Sequence, residues 1–100
     1  MCGIAGIVGD GADLQPAMAR MLHALRHRGP DGEGLLEGPG AVFGHRRLSI
    51  IDLEGGRQPL TNADQSIWLV CNGEIYNYKE LRADLERRGI TFQTHSDCEV

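Results

Sequence analysis

The segment RGPDGEG at residues 28–34 constrains the fold of this chain more than any other stretch. Three glycines and one proline stand among its seven residues. A helix does not continue through such a segment, because proline lacks a backbone N–H and glycine weakens helices. Before it, apolar residues recur at helical spacing from Gln15 to about His27. The sequence therefore predicts a helix that ends here, with Asp13 as its cap and strands after it.

Short apolar runs predict the strands. These runs are GIAGIV (3–8), GLLEG (34–38), AVFGHRRLSIID (41–52), IWLVCNG (67–73) and ITFQT (90–94). The first has small residues between branched ones, which favours a buried strand. The fourth has the clearest strand pattern and ends in an Asn-Gly pair.

Capping signals predict two further helix starts. Asn77 precedes an apolar stripe, with Glu80 three residues on as its box partner and Gly89 at the end of the helix. Ser96 and Glu99 repeat the capping-box spacing, which predicts a third helix start close to the last residue.

Composition narrows the class of protein. One hundred residues suit one small domain, and a net charge of −4 gives no reason to expect nucleic acid or an anionic membrane as partner. Three cysteines without framework spacing favour a reducing compartment. No apolar run has the length of a membrane span or the pattern of a signal peptide, so the cytoplasm is the expected location.

A metal or nucleotide site is not predicted. His23 and His27 are four residues apart on the first predicted helix, but no third ligand accompanies them locally. The favoured interpretation is a pair of helix-surface histidines. The segment GDGADLQ at 9–15 has glycines before a helix but lacks both the P-loop and the dinucleotide-binding patterns.

Cys2 is the candidate nucleophile. Removal of Met1, which is expected before a small second residue, would give Cys2 a free α-amine beside its thiol. In general a thiol and an α-amine titrate within about one pH unit of each other, so the amine can act as the base for the thiol. The alternative is a cysteine that merely begins a buried strand, and position alone leaves both open.

Asn72 and Gly73 offer two hydrogen-bond donors at a strand end. A side-chain amide and an adjacent backbone N–H can hold a developing oxyanion, and each such donor contributes roughly 3–4 kcal/mol in acyl-transfer sites. A type I′ hairpin is the alternative for any Asn-Gly pair. The following residues, 74–81, read into a helix and not into a returning strand, which weakens the hairpin interpretation. Glu74 beside the pair is otherwise an ordinary solvated charge.

Charged residues elsewhere suit an amino-acid ligand. Arg46 and Arg47 begin an apolar run and face opposite ways on a strand, so one of them can point inward and bind a carboxylate in bidentate fashion. A surface charge is the alternative for each. Asp97 stands at a predicted helix start, where the helix dipole alone explains an acidic residue.

Taken together, several segments resemble one family in order and spacing. The segments are MCGIAGIVG, RHRGPDGEG, FGHRRLSIIDLEGGRQPL, CNGEIYNYKELRADLERRG and THSDCEV. They resemble the N-terminal glutaminase domain of glutamine-hydrolysing asparagine synthetases, which are class II, N-terminal-nucleophile (Ntn) amidotransferases. The resemblance implies an α+β fold, the Ntn-hydrolase four-layer αββα sandwich. Residues 1–100 would then be the N-terminal half of that domain, without the ATP-dependent synthetase domain.

The resemblance also implies the roles of individual residues. Cys2 would be the nucleophile, and Asn72 with Gly73 would form the oxyanion hole. Arg47 would bind the α-carboxylate of glutamine. Glu74 and Asp97 would bind its α-ammonium group. The full implied substrate-binding set is Arg47, Leu48, Ser49, Ile50, Ile51, Asn72, Gly73, Glu74 and Asp97.

The implied reaction has two parts. Cys2 attacks the side-chain amide of glutamine, forms a γ-glutamyl thioester and releases ammonia for the ATP-dependent amidation of aspartate in a separate domain. This chain itself would need no cofactor or metal, while ATP and Mg²⁺ belong to the synthetase domain. L-Glutamine and that C-terminal domain are the expected partners, with room for a homodimer of the full-length enzyme. An amidotransferase for another carboxylate acceptor and a non-catalytic module with the same fold are the alternatives.

Overall fold

The computed structural model describes residues 1–11, 13–50 and 54–100. Over these residues the chain is a mixture of helices and antiparallel sheets, as expected of the α+β class. The elements are β1 (Gly3–Val8), α1 (Leu14–Ala24), β2 (Gly32–Gly38), β3 (Ala41–Arg47), β4 (Leu60–Thr61), β5 (Trp68–Leu69), α2 (Tyr78–Arg87) and a 3₁₀ helix (Asp97–Glu99).

β3 is the centre of a three-stranded antiparallel sheet with the order β1-β3-β2. Its register with β1 runs from Gly3 opposite Arg46 to Val8 opposite Ala41. A tight turn between β2 and β3 is possible because Gly40 has a φ of +71°, in the left-handed region that favours glycine. The register of β1 and β3, continued by one residue, places Cys2 opposite Arg47 at one end of the sheet.

The hydrophobic core lies between this sheet and α1. Met18 and Leu22 of the helix and Val42 of the sheet are fully or almost fully buried. The helix can approach closely because β3 has a glycine beneath it: a Cβ on Gly44 would lie 2.6 Å from Met18 Sδ and 2.8 Å from a Leu22 methyl group. The spacing of Met18 and Leu22 explains why the α1 sequence forms an amphipathic helix.

The other face of the sheet meets the residues that flank the small sheet β4–β5. The buried His45 of β3 is hydrogen-bonded through Nε2 to the carbonyl of Cys71, at 3.2 Å. Gly34 of β2 lies against the backbone of Gln58, so closely that a Cβ on it would be 2.8 Å from the Gln58 carbonyl carbon. α1 thus packs on one face of the three-stranded sheet, and the residues flanking β4 and β5 contact the other face.

The helix predictions are largely confirmed. α1 begins at Leu14 and ends at Ala24, a few residues before the predicted end. α2 begins after Asn77 and ends before Gly89, whose φ is +89°. Asp13 and Asn77 occupy the N-cap positions without a side-chain capping bond among the described residues. The Ser96 side chain does cap the 3₁₀ helix, because its Oγ accepts a hydrogen bond from the Cys98 N–H at 3.2 Å.

The strand predictions are confirmed in part. β1 spans the predicted residues 3–8, but it is buried on one face only, since Ile4 is 47% and Val8 83% exposed. β3 ends at Arg47, earlier than predicted. Of the run IWLVCNG, two residues pair as β5, because their partner β4 is itself only two residues long.

The prediction of a strand at 90–94 is wrong. The Glu99 carboxylate accepts hydrogen bonds from the backbone N–H groups of Gln93 (2.6 Å) and Thr94 (2.7 Å), which a strand would use for its ladder. The side chain of one glutamate thus replaces a neighbouring strand. Neither helix of the described ranges combines the length and the apolar character needed to cross a bilayer.

Candidate functional site

A cavity of about 320 Å³ opens where β1 begins and β3 ends. Its walls come from five separate parts of the chain: the N-terminus, the end of β3, the segment before β4 that includes Gln58, the segment after β5 and the 3₁₀ helix. The predicted site residues that line it are Cys2, Arg47, Leu48, Ile50, Asn72, Gly73, Glu74 and Asp97. Residues distant in sequence, some proposed for their own chemistry and others through the family resemblance, therefore meet at one place.

Cys2 lies at the edge of the sheet, directly before β1. Continuing the register of β1 and β3 by one residue places it opposite Arg47. Its Sγ accepts a hydrogen bond from the backbone N–H of Leu48 at 3.2 Å. Its carbonyl accepts a hydrogen bond from Arg28 Nε at 3.1 Å, so the backbone of the nucleophile candidate is held as well as its sulfur. The sequence analysis did not identify Arg28, although it lies in the segment that ends the first helix.

The two arginines of β3 face opposite ways, as the strand period predicts. Arg46 turns away from the cavity, where it donates to the Gly29 carbonyl at 3.0 Å and to Glu33 at 2.7 Å. Arg47 lines the cavity and is only 9% exposed. A guanidinium has five N–H donors in a planar fork, a geometry that matches a carboxylate. Arg47 is thus the arginine placed for an anionic ligand group.

The segment that carries Asn72 and Gly73 follows β5 and is held by its neighbour Cys71. The Cys71 N–H donates to Gln58 Oε1 at 2.6 Å, and the Cys71 carbonyl accepts from Gln58 Nε2 at 3.2 Å. The same carbonyl accepts from His45 Nε2 at 3.2 Å. Neither Gln58 nor His45 was identified by the sequence analysis, because their contacts with Cys71 are long-range.

His45 is neutral in this arrangement. The Cys71 carbonyl can only accept, so Nε2 of His45 carries the proton. The side chain is 1% exposed, and burial is the largest cause that lowers its pKa from the ordinary value. The positive charge of Arg47 lowers the pKa further, against the opposing effect of the Cys71 hydrogen bond. The site therefore has a fixed cation in Arg47 and an uncharged imidazole beside it.

Asp97 provides a buried carboxylate on the opposite wall. It lies in the first turn of the 3₁₀ helix, is 5% exposed and accepts a hydrogen bond from the Ile75 N–H at 2.7 Å through Oδ2. This bond orders the chain after Gly73. A carboxylate has two oxygens with about four acceptor positions, so Asp97 can also accept a hydrogen bond from a ligand N–H. Glu74 also lines the cavity but is exposed.

Cys71 and Cys98 also line the cavity, on either side of Gly73. The Cys98 thiol lies 3.6 Å from the Gly73 carbonyl, and burial is the main cause that raises its pKa to about 12. Contacts with Cys71 and Asp97 raise the pKa in the same direction. Cys98 is therefore protonated at neutral pH and is a poor nucleophile.

One described residue of the predicted set, Ser49, does not line this cavity. Ser49 turns to a second cavity and donates its backbone N–H to Asp31 Oδ2 at 2.8 Å. Ile51 lies outside the described residues. Leu48 and Ile50 on either side of Ser49 do line the first cavity. Within ranges 1–11, 13–50 and 54–100, no three His, Cys, Asp or Glu side chains come together as metal ligands.

Comparison with known proteins agrees with the geometry of the cavity. Residues 1–100 match the family described as the glutamine amidotransferase domain. The chain is 47% identical over 105 residues to asparagine synthetase [glutamine-hydrolyzing] 1 of Bacillus subtilis, with all of this chain and 17% of that protein covered. It is 46% identical over 103 residues to asparagine synthetase [glutamine-hydrolyzing] 1 of Arabidopsis thaliana, again covering the whole chain and 17% of the relative.

A third relative is asparagine synthetase B [glutamine-hydrolyzing] of Escherichia coli, which is 43% identical over 103 residues, covering all of this chain and 18% of that protein. The chain thus spans less than a fifth of the length of these curated relatives. With the family matched over every residue, the chain belongs to the glutamine amidotransferase domain family.

Proposed function

We propose that this chain hydrolyses the side-chain amide of L-glutamine, with Cys2 as the nucleophile. One observation carries the proposal: a single cavity is lined by a cysteine, a buried arginine, an Asn-Gly pair and a buried aspartate. The family match over residues 1–100 and the names of the relatives support the same reaction.

The charges of the cavity suit a zwitterionic amino acid. Arg47 would bind the α-carboxylate in a bidentate arrangement, and Asp97 with Glu74 would bind the α-ammonium group. A ligand without these two groups would form neither charge-assisted contact, which gives selectivity for amino acids. The apolar lining from Leu48 and Ile50 would contact the methylene groups of the side chain.

The nucleophile depends on the removal of Met1. In the chain with Met1 the nitrogen of Cys2 is part of a peptide bond and cannot act as a base. Once it is free, the amine takes the thiol proton while the sulfur attacks the amide carbon. The Leu48 N–H, already 3.2 Å from Sγ, would stabilise the thiolate as it forms.

Asn72 and Gly73 would hold the negative charge of the tetrahedral intermediate. The amine then returns its proton to the departing nitrogen, and ammonia leaves. Water hydrolyses the resulting γ-glutamyl thioester to glutamate, which regenerates the thiol. The net reaction consumes one glutamine and one water and yields glutamate and ammonia.

We further propose that the ammonia is used in a C-terminal synthetase domain, which amidates aspartate with ATP and Mg²⁺. The relatives, which are named asparagine synthetases and are much longer than this chain, support this assignment. The helix packed on an antiparallel sheet is compatible with part of the four-layer αββα sandwich, which we propose as the fold of the complete domain.

The substitution Arg47→Lys in the full-length protein tests the glutamine site. Lysine keeps the charge but loses the planar fork, so we expect kcat/KM for glutamine to fall by about 10- to 100-fold. Synthesis with free ammonia bypasses the site and should keep its wild-type rate. Both rates are measured as asparagine formed in the presence of ATP and aspartate.

Arg87→Lys is the matched control, because Arg87 lies on the exposed surface of α2, with its side chain 76% exposed. It should leave both rates unchanged. Equal losses with glutamine and with ammonia in the Arg47 variant would contradict the assignment and make Arg47 a structural residue.

A further inference from the structure

The segment that carries Asn72 and Gly73 lacks regular secondary structure. β5 ends at Leu69, and residues 70–73 have no ladder partner. An oxyanion hole, however, requires donors fixed before the substrate binds, since a misplacement of about 1 Å can reduce the rate by about 100-fold. Some other contact must therefore hold this segment.

Gln58 provides two of the bonds that hold this segment, beside the bond from His45 to the same Cys71 carbonyl. Its carboxamide accepts from the Cys71 N–H at 2.6 Å and donates to the Cys71 carbonyl at 3.2 Å. Continuing the β4–β5 register from Leu60 and Leu69 by two residues places Gln58 opposite Cys71. The side chain of Gln58 thus makes the pair of bonds that the backbone of a longer β4 would otherwise make.

The chemistry of this contact requires a carboxamide side chain. Only a carboxamide presents one acceptor and one donor side by side, whereas a carboxylate offers acceptors alone. Gln58 is itself fixed from behind, because its backbone packs against Gly34 of β2, where any larger residue would collide. The contact therefore connects the rigid three-stranded sheet to the residue that precedes Asn72.

From this geometry we propose that Gln58 is a positioning residue for glutamine hydrolysis: it fixes Asn72 and Gly73 through the backbone of Cys71. This inference rests on the proposed function. Gln58 also lines the cavity, but its carboxamide is bonded to the Cys71 backbone. It therefore acts on the transition state through the oxyanion donors, while Arg47 and Asp97 bind the amino-acid head. Its loss should therefore lower kcat and leave KM for glutamine nearly unchanged.

The test uses two variants of the full-length protein, Gln58→Glu and Gln58→Leu. Gln58→Glu keeps the shape and the acceptor but removes the donor, and Gln58→Leu removes both. We expect kcat for ammonia release from glutamine to fall by about 10- to 100-fold in both, with the larger loss for leucine. KM for glutamine should change by less than about threefold, because the contacts that bind the substrate before the reaction are retained. Gln93→Glu, at an exposed position, is the control and should match the wild type.

Amide hydrogen exchange provides a second readout. Exchange in a peptide covering 70–74 should accelerate in both Gln58 variants, while exchange in α1 and β3 stays at the wild-type rate. An unchanged kcat together with faster exchange at 70–74 would overturn the proposal. Faster exchange throughout the domain, with kcat and KM both affected, would also overturn it and make Gln58 a general structural residue. A wild-type protein that releases no ammonia from glutamine would instead overturn the proposed function.

Discussion

The contact between Gly34 and Gln58 gives a sharp prediction for the substitution Gly34→Ala. An added Cβ would lie 2.8 Å from the Gln58 carbonyl carbon and 3.1 Å from Pro59 Cδ, and the carbonyl oxygen is closer still. The backbone at Gln58 must therefore move by more than the 0.6 Å that separates 2.8 Å from the shortest ordinary contact of 3.4 Å. Overpacking of this kind typically costs about 1–3 kcal/mol.

Gly38→Ala is the matched control on the same strand. The nearest atom to its added Cβ would be the Ala41 carbonyl oxygen at 4.0 Å, so the methyl group meets no obstacle. A tolerated glycine-to-alanine change stabilises a protein by about 0.4–1 kcal/mol, because the unfolded chain loses freedom. Gly34→Ala gains the same unfolded-state term, which cancels between the two variants, so they should differ by about 1–3 kcal/mol in the free energy of local opening.

The assay is hydrogen exchange of the full-length protein, followed by mass spectrometry on peptides from β2 and β3. A difference of about 1–3 kcal/mol corresponds to exchange that is about 5- to 140-fold faster in Gly34→Ala than in Gly38→Ala. Ammonia release from glutamine should fall with it, since the Gln58 contact is displaced. Equal protection in the two variants would refute the packing of the two sheets described here.

Two further predictions concern His45 and Asn72. Because burial lowers the pKa of His45 in the folded protein, the unfolded chain binds an additional proton below its pKa of about 6.5. Exchange protection of β3 should therefore decrease as the pH falls through about 6.5, and His45→Gln should remove that part of the pH dependence; an identical pH profile in the variant would contradict it. Asn72→Ala should lower kcat for glutamine hydrolysis by about 100- to 1000-fold, because one oxyanion donor is lost. Synthesis from ammonia should be unaffected, as measured by steady-state rates with each nitrogen source. An unchanged kcat for glutamine would exclude an oxyanion role for Asn72.

The sequence predicted the helices well, because their boundaries depend on hydrogen bonds between residues close together in the chain. The helix-breaking segment 28–34, the glycine at 89 and the Ser96 cap lie close to where α1, α2 and the 3₁₀ helix begin or end. The strand period also predicted that Arg46 and Arg47 face opposite ways. In each case the contacts that decide the structure lie within a few residues.

The remaining strands depend on partners that the sequence pattern does not reveal. The run at 67–73 is apolar and branched, yet it pairs over two residues only, since strand pairing requires a neighbour of matching length. At 90–94 the Glu99 carboxylate takes the backbone donors instead. Secondary-structure propensity does not predict that a distant side chain will form hydrogen bonds with these backbone groups.

The same limit applies to the candidate site. Cysteine, arginine and Asn-Gly were identified from their own chemistry and meet in one cavity. Arg28, His45 and Gln58 act through the backbone of other residues, at separations of 13 to 26 positions along the chain. Such supporting contacts become visible only when the register of the sheets is known.

The most direct test of the central claim is covalent labelling of the processed full-length protein with an electrophilic glutamine analogue. Intact mass should show the loss of Met1 and the addition of one label, and peptide mapping should locate that label on Cys2. Excess glutamine should protect Cys2, and Cys98, with its pKa raised to about 12, should stay unmodified. A label on Cys71 or Cys98, or labelling of Cys2 that glutamine does not slow, would contradict a glutamine-hydrolysing site built on Cys2.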